Sequence, residues 1–298
     1  MSLSQTPTPP EPLPTGLCAQ AACLMEATAR KPGNVHRFRD FDDATLMDYL
    51  LSAAAIGPVM EGAAGRPIGA TVLDAVRATR RVSRTNTNLG ITLLLAPLAA
   101  VPPGEDLRAG VEQVLAGLDR ADARLAYQAI READPGGLGE APAQDVQDEP
   151  TLPLREVMAL AGQRDLVARQ YAGGFREVFD EGVPALRAAL ARTALLETAI
   201  IFCHLHLMAG FPDTLIARKR GQAEAEESAA RARRVLYAGW PETAAGRASL
   251  EELDAWLRAV GRGRNPGTTA DLVTACLFVA LRQRIITLPV KFAAARLP

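Results

Sequence analysis

Apolar residues recur along this chain at helical spacing, and that regularity excludes most folds. Leu107, Val111, Val114, Leu115 and Leu118 fall on one stripe, and Leu46, Tyr49, Leu50, Ala53 and Ala54 on another, each with polar residues opposite. Strand-type alternation is nearly absent. Sheets favour β-branched and aromatic residues, whereas only 5% of this sequence is aromatic and alanine is abundant. These features predict an all-α fold, a single multi-helix domain.

The 298 residues, 48% hydrophobic and 22% charged, can bury a large core, which excludes disorder of the whole chain. Thirty-three basic and 34 acidic residues are interspersed, leaving no broad field for a nucleic-acid backbone or an anionic membrane. The most apolar run, Leu89 to Val101, is too short for a bilayer and is interrupted by Pro97, so it predicts a buried helix. Cys18, Cys23, Cys203 and Cys276 lack metal or redox spacing and point to a reducing, cytoplasmic compartment. Residues 1–16 hold five prolines and resemble no targeting peptide; they are expected to form a disordered tail before a helical domain over 17–298. Assembly into a homo-oligomer is compatible with this organisation.

Capping-box spacing places helix starts at Ser249 with Glu252 and at Thr268 with Asp271. Asp134 to Pro153, with Pro135-Gly136-Gly137-Leu138-Gly139, is expected to be a long functional loop. Cys203 and His206, in an apolar helix ending near Gly210, are expected in the core.

Polar segments between the helices are the candidates for chemistry. Glu26 to Asp43 contains Lys31-Pro32-Gly33-Asn34-Val35-His36-Arg37, then Asp40, Asp42 and Asp43, a mixture of cations and carboxylates able to hold phosphates and a metal. Lys31 stands out because lysine occurs only three times against thirty arginines. Ser83 to Gly90, with Arg84, Asn86, Thr87 and Asn88, precedes the buried helix and suits an anion at a helix N-terminus, or plain capping. Asp213 to Lys219, including Arg218, offers a second charged cluster, and Asn265-Pro266-Gly267 a turn before a helix. Arg164 and Asp165 are expected to form an exposed ion pair within a helix. The sequence contains no Walker loop, dinucleotide fingerprint, zinc motif or serine elbow.

Taken in order, Glu26 with Lys31-Pro32-Gly33, Ser52-Ala53, Asn86-Thr87 with Gly90, Asp213-Thr214 with Arg218, and Pro266-Gly267 with Ala270-Asp271 resemble the triphosphoribosyl-dephospho-CoA synthase family from about Leu17 to Arg284. Where that family has Asn-Thr-His-Lys-Gly, this chain has Asn86-Thr87-Asn88-Leu89-Gly90, and the Lys31 to Arg37 stretch is similar to a branch in methanogens and methanopterin-using bacteria. The resemblance implies an all-helical enzyme that moves the triphosphoribosyl group of ATP to 3′-dephospho-CoA and releases adenine, with Mg²⁺ on the triphosphate. It also implies roles for residues. Lys31, Gly33, Asn34, Arg37, Arg84, Asn86, Thr87, Asn88, Arg218 and Lys219 would bind the nucleotide. Glu26, Asp40, Asp43 and Asp213 would be catalytic, with Asp43 and Asp213 as metal ligands. Another ribosyl or phosphoryl transfer in one-carbon cofactor biosynthesis, and nucleotide binding without turnover, are the alternatives.

Overall fold

The computed structural model describes residues 12–136, 139, 141 and 143–293. Fourteen α-helices form its body. The first half holds α1 (Thr15–Thr28), α2 (Leu46–Glu61), α3 (Ile68–Arg80), α4 (Leu89–Ala100), α5 (Leu107–Ala116), α6 (Arg120–Ala133) and α7 (Leu154–Ala161). The second holds α8 (Leu166–Gly173), α9 (Val183–Arg192), α10 (Leu196–Gly210), α11 (Thr214–Arg220), α12 (Gln222–Tyr237), α13 (Ala244–Arg258) and α14 (Gly267–Arg282). A π-helical turn, Glu177–Gly182, precedes α9, and a 3-10 turn, Gly261–Arg264, precedes α14. The all-α expectation is met. Among the described residues, extended pairing is confined to two isolated bridges, His36 with Arg39 and Phe41 with Ala44, which fold the segment after α1 into two tight turns.

Two helices are buried nearly all round, and the rest wrap them. In α4 every residue except Gly90 is buried, because α1, α2, α3, α5, α8 and α14 all pack against it. This explains why Leu89 to Ala100 carries no polar face. α14 is likewise buried from Thr268 to Leu281, apart from Asp271, and touches α1, α4, α8, α9, α10 and α11. The Tyr171 hydroxyl of α8 donates to the Leu93 carbonyl across 2.6 Å, tying α8 to the centre of α4. A smaller apolar cluster, including Leu205, Ile216, Val235 and Leu257, joins α10 to α11, α12 and α13.

Several boundaries differ from the sequence expectations. α1 begins at Thr15, before the expected end of the tail, and 1–11 lie outside the described residues. α2 buries Ser52, Ala53, Ile56, Gly57 and Met60 and leaves Ala54 exposed, a face rotated from the expected stripe, and α1 packs close to it where Gln20 meets Gly57 and Gly16 meets Glu61. Neither expected capping box starts a helix. Ser249 lies inside α13, whose N-terminal cap is Thr243, its hydroxyl accepting from the Gly246 amide at 2.9 Å and donating to the Ala238 carbonyl, and Thr268 lies inside α14, which follows Pro266. The Asp134 to Pro153 segment is the connection between α6 and α7, although Gly137 and Leu138 lie outside the described residues. All four cysteines are buried and unpaired. Cys203 is in the core as expected, but His206 reaches the surface beside Glu181 at 3.1 Å, since α10 leaves that one face uncovered. Among the described residues no single helix is long and apolar enough to cross a membrane.

Candidate active site

Segments distant in sequence enclose one cavity of about 550 Å³, a volume in the range of small-molecule sites. Its walls are the end of α1, the turns after it, the start of α4, the α6 to α7 connection, the start of α8, α11, the 3-10 turn and the start of α14. Three helices therefore point their N-termini into it: α4 through Leu89, Gly90 and Ile91, α8 through Val167 and Ala168, and α14 through Gly267 and Thr268. Free amides and dipoles at such ends favour anions. The α8 end is already capped by Asp165, whose Oδ1 accepts from Val167 at 2.8 Å and Ala168 at 3.0 Å, whereas the α4 and α14 ends carry no side-chain cap from their own cap residues.

The carboxylates are sorted by their partners. Glu26 is buried, and its Oε1 lies 3.0 Å from the Lys31 ammonium, which also bonds the Glu26 and Ala29 carbonyls. Burial raises the Glu26 pKa, and Lys31 opposes the rise. Asp271, the neighbouring acid, faces the cavity without a protein hydrogen-bond partner among the described residues. Its pKa is held well above the usual carboxylate range, first by burial and then by the charges of Glu26, Asp213 and Asp165, with Arg218 opposing. Gly90 is what lets Asp271 in: a Cβ there would lie 2.0 Å from Asp271 Oδ2. The N-terminus of α4, where the sequence suggests a bound anion, thus faces a carboxylate of the protein itself.

Cations gather on another wall. Arg164, Arg218, Lys219 and Arg262 all line the cavity. Arg218 pairs with Asp165, and Arg262 Nη1 donates to Asp43 Oδ2 at 2.9 Å, yet the Nε of both arginines is buried without a partner. Lys219 has its pKa lowered by burial and then by the nearby Arg262 charge, with Arg218 adding to it. Cations crowded closely enough to oppose one another's charge form a site for a polyanion. Tyr49 feels both walls: its nearest charges are Arg262, Glu26, Asp271 and Asp43, and burial pushes its phenol up to about 12, so it remains a neutral donor.

Glu26, Asn34, Asp43, Asn86, Thr87, Asn88, Arg218 and Lys219 are thereby brought together on the cavity. Thr87 is fixed by a 2.7 Å bond to Ser52, Asn88 donates to Thr79 at 2.9 Å, and Asn86 accepts from the Leu89 amide at 3.1 Å.

Six other expected residues lie elsewhere. Lys31 is wholly buried behind Glu26 with its ammonium spent on the protein, so it positions a carboxylate and does not reach a phosphate. Gly33 takes φ +75° where a Cβ would meet Leu257 and Pro266, a packing requirement between two turns. Arg37 grips Glu197 with both guanidinium nitrogens, at 2.7 and 2.9 Å. Asp40 accepts from the Leu46 amide at 2.6 Å and starts α2, while Arg84 is exposed outside the cavity. Asp213 is fully buried and accepts four bonds, from Leu215, Ile216 and both the amide and hydroxyl of Thr269. Its acceptor positions are filled, and these bonds tie α11 to the start of α14. His36 is also unavailable as an acid or base, since burial and the Arg258 and Lys31 charges lower its pKa to about 4.

Sequence reasoning missed Arg262, took Asn265 only as part of the turn before a helix, and treated Asp271 as a cap and Arg164 as half of an ion pair. Asp165 caps α8 and pairs with Arg218, so Arg164 is left facing the cavity. The Pro266-Gly267 turn was a usable signal for Asp271, because it sets α14 so that Gly267, Ala270 and Asp271 share the cavity face. Among the described residues no three His, Cys, Asp or Glu side chains gather as metal ligands. A magnesium ion binds through phosphates with only one or two carboxylates, and Asp43, exposed beside Lys219 and Arg262, suits that arrangement.

Comparison with known proteins gives the same direction. A protein from Pseudomonas syringae pv. syringae assigned as 2-(5″-triphosphoribosyl)-3′-dephosphocoenzyme-A synthase is 34% identical over 134 residues, 42% of this chain and 45% of that protein. The Klebsiella pneumoniae enzyme of the same name is 33% identical over 106 residues, 36% of this chain and 37% of its own length. The matches thus span less than half the length of these curated relatives. A crystal structure from Archaeoglobus fulgidus, solved as a candidate triphosphoribosyl-dephospho-CoA synthase, superposes with a TM-score of 0.61 at 28% identity, covering 78% of this chain and 98% of that one. The sequence profile of one family matches residues 14–288, and the chain belongs to it: the ATP:dephospho-CoA triphosphoribosyl transferase family.

Proposed function

We propose that the protein transfers the triphosphoribosyl group of ATP to the ribose hydroxyl of 3′-dephospho-CoA and releases adenine. The observation that carries this reading is a single cavity with two differently held carboxylates and four lining cations, of which Arg218, Lys219 and Arg262 crowd together. Displacement at an anomeric carbon passes through an oxocarbenium-like state and needs one group to protonate the departing base and another to face the cationic sugar. Asp271, unpaired and beside a like charge, keeps its proton and serves the adenine nitrogen as acid. Glu26, anchored by Lys31, stays the better anion; it faces the sugar and takes the proton of the attacking hydroxyl. A carboxylate about 4 Å from that cation stabilises it by about 4 kcal/mol at an effective dielectric near 20, roughly a thousandfold in rate.

Arg164, Arg218, Lys219 and Arg262 hold the triphosphate, with the α14 N-terminus beside them. Mg²⁺ bound at Asp43 would neutralise phosphate charge there. The apolar remainder of the cavity, including Val157, Met158 and Val167, leaves room for the acceptor. Four buried, unpaired cysteines fit a cytoplasmic enzyme with small-molecule substrates.

The test is incubation with ATP, Mg²⁺ and dephospho-CoA, following the bases by chromatography. Adenine appearing only with the acceptor present is the expected result. ADP without adenine would replace this reading with phosphoryl transfer, and saturable ATP binding without any product would leave a nucleotide-binding protein.

A further inference from the structure

Two asparagines far apart in sequence meet in the cavity wall. Asn34 Nδ2 donates to Asn265 Oδ1 at 2.7 Å, and each residue is only 6% exposed. Their loops are pressed together by fit: the Gly33 position, at φ +75°, lies against Pro266, where a Cβ would come within 2.9 Å of its ring. Charged groups of α13 lock the first loop in place. Asp254 accepts from the Gly33 amide at 2.7 Å, and Arg258, itself bonded to Asp254, donates to the Asn34 carbonyl. Much of this neighbourhood therefore exists to place two small amides.

The pair is left half used. Asn34 Oδ1 is buried and has no hydrogen-bond partner, and Asn265 Nδ2 donates to no protein group among the described residues, although both side chains line the cavity. A buried amide oxygen without a partner costs about 1 to 3 kcal/mol, so a fold that keeps one needs something to fill it. One bond between two carboxamides consumes one donor and one acceptor whichever way the amides are turned. What remains is one acceptor beside one donor, on two residues that both line the cavity. The amino and ring-nitrogen edge of adenine has the complementary pattern, one N–H donor beside one lone pair.

We infer that the Asn34–Asn265 amide pair is the base-recognition element of the nucleotide site, binding the 6-amino edge of adenine. This rests on the nucleotide reading above and adds to it the source of base selectivity. In chain order Asn265 lies between Arg262 of the cation cluster and Asp271, so one short stretch, through the 3-10 turn into α14, presents phosphate, base and acid contacts in succession. A site built to bond an amino group rejects an analogue that lacks it, because its own buried groups are then left unpaired.

The experiment compares equilibrium binding of ATP and of purine riboside 5′-triphosphate, which lacks the 6-amino group, to the full chain. Wild type is expected to prefer ATP by about tenfold, and Asn34→Leu and Asn265→Leu each to bring the ratio near one by weakening ATP alone. Asn34→Ser and Asn265→Ser serve where the leucine variants do not fold. A role confined to holding the loops together would weaken both nucleotides by the same factor; an unchanged ratio in the variants, or a ratio of one in wild type, overturns the inference. Adenine release is scored on the same preparations. A tenfold preference without adenine release sinks the transfer reading and upholds the recognition element, and adenine release with no preference does the reverse.

Discussion

A single side chain, Asp271, carries the proposed acid step, and its environment makes it titrate in a testable way. Its folded pKa lies well above the ordinary value of 3.8. As pH rises past that ordinary value the unfolded chain loses its proton first, so the folded state holds more protons and stability falls until the folded pKa is passed. Asp271→Asn has no such proton to lose. The variant should therefore melt close to wild type in acid and increasingly above it as pH rises, with a larger gap at about pH 8 than at about pH 5, while adenine release drops at least about a hundredfold. A gap that is constant or reversed would show that Asp271 is ionised in the folded protein. Lys31 invites the complementary test. Removing it as Lys31→Met strands the Glu26 carboxylate in the interior at a cost of about 3 kcal/mol, and Lys31→Met combined with Glu26→Leu should regain most of that in chemical denaturation without regaining turnover. If the double variant is no more stable than the single one, the pair is not what anchors this corner. The scarcity of lysine singled out Lys31 from the sequence as a phosphate contact, whereas in the structure its ammonium is bonded to Glu26. Its role was hidden because Lys31 and Glu26 lie just over one helical turn apart across the end of α1, where the chain bends the ammonium back onto the helix.

Helix ends set the positions of these side chains. Asp213 caps α11 and simultaneously bonds Thr269 near the start of α14, so one carboxylate joins two helices that both border the site. Asp213→Ala should lower unfolding free energy by about 3 kcal/mol, read from denaturant curves, and leave the kcat of the folded fraction little changed. Lost turnover at unchanged stability would return Asp213 to the catalytic set. The crossing of α4 and α14 makes the opposite prediction. Gly90→Ala forces a methyl into the place of Asp271 Oδ2, and a displaced carboxylate should cost about a hundredfold in turnover while ATP binding, carried by other walls, persists. Activity near wild type would mean that Asp271 has freedom the packing does not suggest. Helix existence and many boundaries were legible, as with the α6 to α7 connection and the end of α10 at Gly210, because glycine, proline and polar clusters mark them. Capping spacings misled, because a hydroxyl residue three positions before an acid also occurs inside helices, as Ser249 does in α13 and Thr268 in α14. Asp271 was hidden by that coincidence, since its partner glycine belongs to a different helix.

At the scale of the molecule, the helical periodicity announced a helical protein, and the family pattern pointed to a nucleotide. Neither could show that Arg84 turns away while Arg262 turns in, because the cavity is assembled from contacts between distant segments. The same construction bears on the protein's life before it is complete. α14 follows every other described helix in the chain, and it brings Asp271, Gly267 and Thr268 to walls otherwise ready. During synthesis, then, a nascent chain halted before Gly267 holds the cavity-lining cations and the Lys31-anchored glutamate but lacks both Asp271, the proposed proton donor, and the helix that fills its centre. On the proposed mechanism such a chain would release no adenine, because Asp271 arrives only with the last described helix.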